Sequence, residues 1–134
     1  MVKVSVIITC YNLEKYISRS INSCLNQTMS QNDYEIIVID DHSSDSSWDV
    51  VSGFGSMVKS IRHDKNLGVS TASNTGIKAA SGKYIVRVDG DDFVNKNFLH
   101  TLSQFLDWNE DIGLYIVIIL LSMKTLKENK VLIL

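Results

Sequence analysis

The stretch YIVRVDGDDF, Tyr84 to Phe93, ends an apolar, β-branched run with three carboxylates, Asp89, Asp91 and Asp92. Carboxylates this close repel one another, so the cluster calls for a cation, a helix N-terminus or open water. Carboxylate oxygens are hard ligands suited to Mg2+, Mn2+ or Ca2+. Mg2+ commonly takes one or two carboxylates and completes its shell with substrate phosphates and water, an arrangement that a D-x-D at a strand end matches. Gly90, between the two acids, leaves room for a close approach of ligand or backbone. An EF-hand calcium loop is excluded, because its fifth position would be Phe93 and its twelfth His100. The plain alternative is helix capping. Asp91 or Asp92 ahead of a helix could serve as an N-cap, which accounts for one acid and leaves two.

A second acidic cluster, IDDHSSD, follows another apolar run. Ionised Asp40 and Asp41 can accept hydrogen bonds from a nucleobase or a ribose, as an acidic residue after a strand does in dinucleotide-binding folds. They can equally brace a turn, with Ser44 or Asp45 capping the helix that follows. His42, His63 and His100 are scattered and lack zinc-like spacing, so no metal role is assigned to them. Gly53-Phe54-Gly55 is not a phosphate loop, and no G-x-S-x-G elbow occurs.

These clusters need elements to position them. Lys3–Thr9, Tyr34–Asp40, Met57–Arg62 and Lys83–Val88 read as strands, rich in Val and Ile. Glu14–Gln27 places Ile17, Ile21, Cys24 and Leu25 on one helix face. A short helix carries Trp48 and Val51 inward, and Val69–Ala80 forms another, closed by a turn at Ser81-Gly82. Lys96–Trp108 sets Phe98, Leu99, Leu102, Phe105 and Leu106 on one face of a last helix. The apolar run IGLYIVIILL, Ile112 to Leu121, reads as a final strand. This alternation predicts an α/β fold with a mostly parallel sheet and helices on both faces. Ligands of such sheets bind beyond the carboxyl ends of the strands. Thr9 to Asn12, Asp40-Asp41 and Asp89 to Asp92 should therefore meet at one edge.

The 134 residues suit a domain with a real core, and 45% apolar composition argues against global disorder. The net charge of -2 argues against nucleic acid as a partner. Cys10 and Cys24 do not make a disulfide framework and read as buried thiols. The N-terminal apolar run is too short and too alternating for a signal peptide, and Ile112–Leu121 is too short to cross a bilayer. A cytoplasmic location is the default, with peripheral association at the inner face of a membrane left open.

Four blocks now line up: VSVIITCYN, SINSCLNQT, YEIIVIDDHSSDSS and NLGVSTASNTGIKAASGKYIVRVDGDD. In this order, from about Val4 to about Leu106, they resemble the N-terminal half of family 2 glycosyltransferases, whose GT-A fold has a Rossmann-like nucleotide-binding half. The resemblance implies transfer of a sugar from a nucleoside diphosphate donor, commonly a UDP-sugar, to a hydroxyl of a glycan or lipid-linked acceptor. It implies a divalent metal, Mn2+ or Mg2+. Thr9, Tyr11 and Asn12 would border the nucleoside, Asp41 would bind the base, and Asp40 would be its neighbour. Asp89 and Asp91 would be the D-x-D pair around Gly90 and the metal residues, Asp91 as the more direct ligand and Asp89 nearer the ribose and the metal shell. Asp92 would orient Asp91 or cap the next helix.

Two departures stand out. Many relatives carry an arginine where this chain has Ser73, in Ala72-Ser73-Asn74. Residues 1–108 form the donor-binding domain, whereas residues 109–134 resemble the acceptor half poorly and are expected to be a truncated or altered remnant. No catalytic base is identified, and Glu128 is not assigned as one. A catalytically incomplete fragment that binds donor weakly or not at all is therefore the rival expectation. A receiver-like signalling domain is a more distant one, since there too aspartates cluster in an α/β fold.

Overall fold

A computed structural model describes residues 1–108 and the backbone of 130–133. The elements run β1 (Val4–Cys10), α1 (Ile17–Leu25), β2 (Tyr34–Asp40), α2 (Ser47–Ser52), a 3-10 turn (Gly55–Met57), β3 (Lys59–Arg62), α3 (Val69–Ala79), β4 (Tyr84–Asp89), α4 (Phe98–Trp108) and β5 (Lys130–Ile133). The five strands form one sheet in the order β3-β2-β1-β4-β5, and every pairing is parallel. The strand expected at Ile112–Leu121 and most of the segment 109–134 lie outside the described residues.

The strands are continuous β-branched runs because both faces of the sheet are covered. All seven residues of β1 are buried. Val4, Val6, Ile8 and Cys10 join Ile36, Val38, Val86 and Val88 in a core capped by Ile17, Ile21 and Cys24 of α1, Val51 of α2, and Leu99 and Leu106 of α4. The opposite face carries Ile7, Ile37, Ile39 and Ile85 against Ala72 of α3. Fully burying one such isoleucine contributes roughly 1.5–3 kcal/mol. Gly76 lets α3 approach closely, since a Cβ there would stand 2.4 Å from Ile7 Cγ2.

Several local expectations shift. Helix α1 starts at Ile17 rather than Glu14, because the preceding turn is held elsewhere: Leu13 N–H donates to Ser47 Oγ at 2.8 Å and Glu14 N–H to Asp45 Oδ2 at 3.1 Å. Strand β3 starts at Lys59, after the 3-10 turn takes Gly55–Met57. Phe105 is 44% exposed and does not share the buried face of Leu99 and Leu106. Gly82 does more than close α3: a Cβ there would meet Ser5 N at 2.7 Å, so its absence lets the turn lie on the start of β1. The capping of a helix by Asp91 or Asp92 does not occur. Helix α4 begins at Phe98, and the intervening segment follows α1 instead.

That segment is held by hydrogen bonds along α1 and the residues just after it. Ser20 Oγ donates to Asp89 O (3.2 Å), and Arg19 Nη2 donates to Asp91 O (2.9 Å). Val94 N–H donates to Ser23 Oγ (3.1 Å), Gln27 Nε2 to Asn95 O (3.0 Å), and Leu99 N–H to Gln27 Oε1 (3.0 Å). The side-chain polarity of α1 and of Gln27 just beyond it thus fixes the path of the chain just after β4. No helix among the described residues is long and apolar enough to cross a membrane.

Candidate functional site

The chain builds β1, β2 and β3 outward in one direction and then places β4 on the other side of β1. Between β1 and β4 the order reverses, and connections from their carboxyl ends diverge to leave a crevice. A cavity of about 250 Å3 lies there, lined by Thr9, Cys10, Tyr11, Leu13, Asp41, Asn66, Gly68, Val69, Ala72, Asp89, Gly90 and Asp91. Of the residues singled out from the sequence, Thr9, Tyr11, Asp41, Asp89, Gly90 and Asp91 share this lining.

The seam between the strands is tight. Gly90 N–H donates to Thr9 O at 3.1 Å, and Asp41 N–H donates to Cys10 O at 2.8 Å. A Cβ on Gly90 would stand 2.6 Å from Thr9 O. The room that Gly90 leaves is therefore taken by backbone. Tyr11 is half-exposed at the opening, whereas Thr9 is buried.

Asp41 is the best-anchored acid. Its Oδ1 accepts Leu67 N–H at 2.9 Å and lies 2.7 Å from His63 Nδ1, and its Oδ2 accepts Gly68 N–H at 2.7 Å. Burial would raise its pKa, but the His63, Leu67 and Gly68 hydrogen bonds prevail and hold it below the ordinary carboxylate value. The loop 66–68 is folded around this carboxylate. Gly68 sits at φ 85 and ψ 157, a conformation essentially reserved for glycine.

Asp40 and Asn12 stand outside the cavity lining. Asp40 is fully buried on the α2 side, where its Oδ2 pairs with Arg62 Nε at 3.1 Å and accepts Ser43 N–H at 3.2 Å. Among the described residues its Oδ1 has no hydrogen-bond partner. Asn12, at φ 54, accepts Ser44 N–H on its Oδ1 at 2.8 Å and ties the end of β1 to the loop after β2.

Asp89, Asp91 and Asp92 have separate surroundings. Arg87 shares a strand face with Asp89 and grips it bidentately, Nη1 on Oδ1 and Nη2 on Oδ2. Asp91 is exposed, its carbonyl held by Arg19, whose guanidinium lies 4.8 Å from the Phe93 ring centroid. Asp92 is exposed and donates its N–H to Asp89 O at 3.0 Å. Ser73 is buried and donates its hydroxyl to Val69 O, so the basic group beside the acids comes from β4.

Asp89 and Asp91 offer the hard oxygen donors a divalent cation prefers, and both border the cavity. Among the described residues no group of three or more His, Cys, Asp or Glu side chains could hold a metal. Burial pushes the Cys10 thiol up to about 11, against the opposing hydrogen bonds of Ser47 and Ser43, which favours the neutral thiol at neutral pH.

Sequence reasoning missed Arg87, His63, Asn66 and Gly68. Arg87 was visible in principle, since residues two apart on a strand point the same way. His63 was not, because its link to Asp41 depends on the register that pairs Asp40 with Arg62 across β2 and β3.

Comparison with known proteins bears on the family and the fold. The family described as glycosyl transferase family 2 matches residues 5–132. The uncharacterized glycosyltransferase EpsJ of Bacillus subtilis (strain 168) is 41% identical over 80% of this chain and 31% of its own length. The poly(ribitol-phosphate) beta-N-acetylglucosaminyltransferase TarP of Staphylococcus aureus (strain N315) is 38% identical over 78% of this chain and 33% of its own. The chain thus spans about a third of these two relatives. The crystal structure of an S. aureus TarS fragment in complex with UDP-GlcNAc superposes with a TM-score of 0.75 at 32% identity, over 81% of this chain and 32% of that one. A mannosyltransferase from Pyrobaculum calidifontis, solved with GDP-Man and Mn2+, shares the fold at a TM-score of 0.72 and 22% identity, over 84% of this chain and 33% of that one. The sheet and the four sequence blocks have one common source: the chain belongs to glycosyl transferase family 2.

Proposed function

We propose that this chain is the donor-binding part of a metal-assisted glycosyltransferase that takes a nucleoside diphosphate sugar, with uridine as the base, and serves transfer to a hydroxyl of a glycan or lipid-linked acceptor. The observation that carries the reading is that one cavity is bordered by Asp41 on the β2 side and by Asp89 and Asp91 on the β4 side, with Thr9 and Tyr11 between them. Asp41, ionised and rigidly held, accepts an N–H from the base. Tyr11 offers its half-exposed ring at the mouth. Asp89 accepts hydrogen bonds from the ribose, and Asp91 holds the divalent cation together with the diphosphate. When bound, that cation supplies Lewis-acid stabilisation of the charge developing on the leaving diphosphate. TarS, which has been solved with UDP-GlcNAc, supports the choice of uridine. In the cell, a cytoplasmic site at the inner face of a membrane would suit a lipid-linked acceptor.

Calorimetric titration of UDP in the presence and absence of Mn2+ tests the reading, with GDP as the comparison nucleotide. The parent chain should bind UDP more tightly than GDP and more tightly with metal than without. Asp91→Ala, an exposed position, should lose the metal-dependent part, at least tenfold or about 1.4 kcal/mol. Asp41→Ala should weaken binding with and without metal. UDP binding equal to the parent in both variants would remove the site assignment.

A further inference from the structure

The face of the sheet under α3 is built from aliphatic side chains, Ile7, Ile37, Ile39 and Ile85. Arg87 stands opposite Ile7 in the register of β1 and β4. Its side chain is only 12% exposed. Burying a guanidinium is unfavourable unless it is paired. Its partners are Asp89, taken by both terminal nitrogens, and Thr9, whose Oγ1 lies 3.5 Å from Nη1. Both partners line the cavity, and Arg87 does not. A cation whose stem runs along an apolar face and whose head stands behind the cavity wall acts on the site through the carboxylate it holds.

Resting on the functional reading above, we propose that Arg87 is a positioning residue of the donor site: it fixes the orientation of the Asp89 carboxylate and cancels its charge, leaving Asp91 to carry the divalent cation. Two consequences follow. Asp89 presents its remaining lone pairs in one direction and stays available to donor hydroxyls. The fixed positive charge also repels a divalent cation, so the site holds metal weakly until the diphosphate brings its own negative charge. Donor and metal then bind as a pair rather than in sequence.

Arg87→Met tests this in the full chain, because it keeps the stem and removes the head. Mn2+ binding without nucleotide is read from the paramagnetic resonance of the free ion, and UDP binding at saturating Mn2+ from calorimetry. With Asp89 released and one nearby cation gone, Mn2+ alone should bind on the order of five-fold more tightly. UDP at saturating metal should bind more weakly, by about three-fold or more, because Asp89 is no longer held. A merely structural role would not move the two affinities in opposite directions. Unchanged Mn2+ affinity, or a parallel loss of both, overturns the proposal while metal-dependent UDP binding by the parent keeps the donor site standing. A parent that binds neither Mn2+ nor UDP overturns both. If Arg87→Met does not fold, Arg87→Lys decides. It keeps the charge but not the two-point grip, so Mn2+ affinity should match the parent while UDP affinity falls. UDP affinity equal to the parent would overturn the proposal.

Discussion

Replacing Gly90 with alanine adds one methyl group at the most crowded point of the site. The backbone of Gly90 is not in the left-handed region, so alanine meets no dihedral penalty there. Its Cβ would instead stand 2.6 Å from Thr9 O, 2.8 Å from Leu13 Cδ1 and 3.2 Å from Ile17 Cδ1. The two leucine and isoleucine methyls can turn aside. The carbonyl cannot, because Thr9 lies in the central strand and pairs with both Ile39 and Asp89. A carbon–oxygen contact settles near 3.3 Å, so the turn after β4 must retreat by roughly 0.7 Å. Overpacking of this kind costs about 1–3 kcal/mol. The retreat also carries Asp89 and Asp91 away from Thr9 and Tyr11, and a displacement near 1 Å at a site costs on the order of a hundredfold in rate.

Urea unfolding gives the stability change, and calorimetry with UDP and Mn2+ gives the binding change. Gly53→Ala is the matched control. It adds the same methyl at an exposed helix end, where the nearest atoms are Val50 O at 3.3 Å and Asp49 O at 3.4 Å. Its stability should stay within about 0.5 kcal/mol of the parent. If Gly90→Ala unfolds at the parent midpoint and binds UDP as the parent does, the steric seam is not what positions the acids, and the reasoning fails.

Gly68→Ala should destabilise by about 1–3 kcal/mol although nothing lies within 4 Å of the added Cβ, because the φ of 85 is the obstacle; an unchanged urea midpoint would contradict this. Asp41→Asn should cost about 2–3 kcal/mol and weaken UDP binding, since the carboxamide cannot accept from His63, Leu67 and Gly68 together. The pH dependence has a definite sign. The folded pKa of Asp41 lies below its unfolded value, so its stabilisation is complete above the ordinary carboxylate range, near pH 4, and fades as pH falls through the folded value. The parent should therefore lose more stability than Asp41→Asn when urea midpoints at pH 7 and pH 3 are compared, and equal losses would remove the linkage.

Much of the fold was legible because buried parallel strands are written as unbroken β-branched runs, and VSVIITC, YEIIVID and YIVRVD each became a strand. Covering one face of such strands required the 3.6-residue pattern that α1 and α4 display, and α3 covers the other face. What escaped was long-range or polar. The start of α1 depends on Ser47 and Asp45, more than thirty positions away. The anchoring of Asp41 depends on a register between β2 and β3 that no local window contains. The D-x-D is the instructive case. Counted as a block, its three acids demand one strong counter-charge. Taken side chain by side chain, they do not form a block: Asp89 is neutralised by Arg87, Asp92 stands in open water beyond a turn, and only Asp91 reaches the cavity as an exposed carboxylate without a side-chain cation among the described contacts. Repulsion within the cluster is thus reduced before any ligand arrives. On the donor-site reading proposed above, the demand for a divalent cation would fall on one residue and on the diphosphate, and Arg87, rather than the acids themselves, would set how strongly metal is held in the absence of donor.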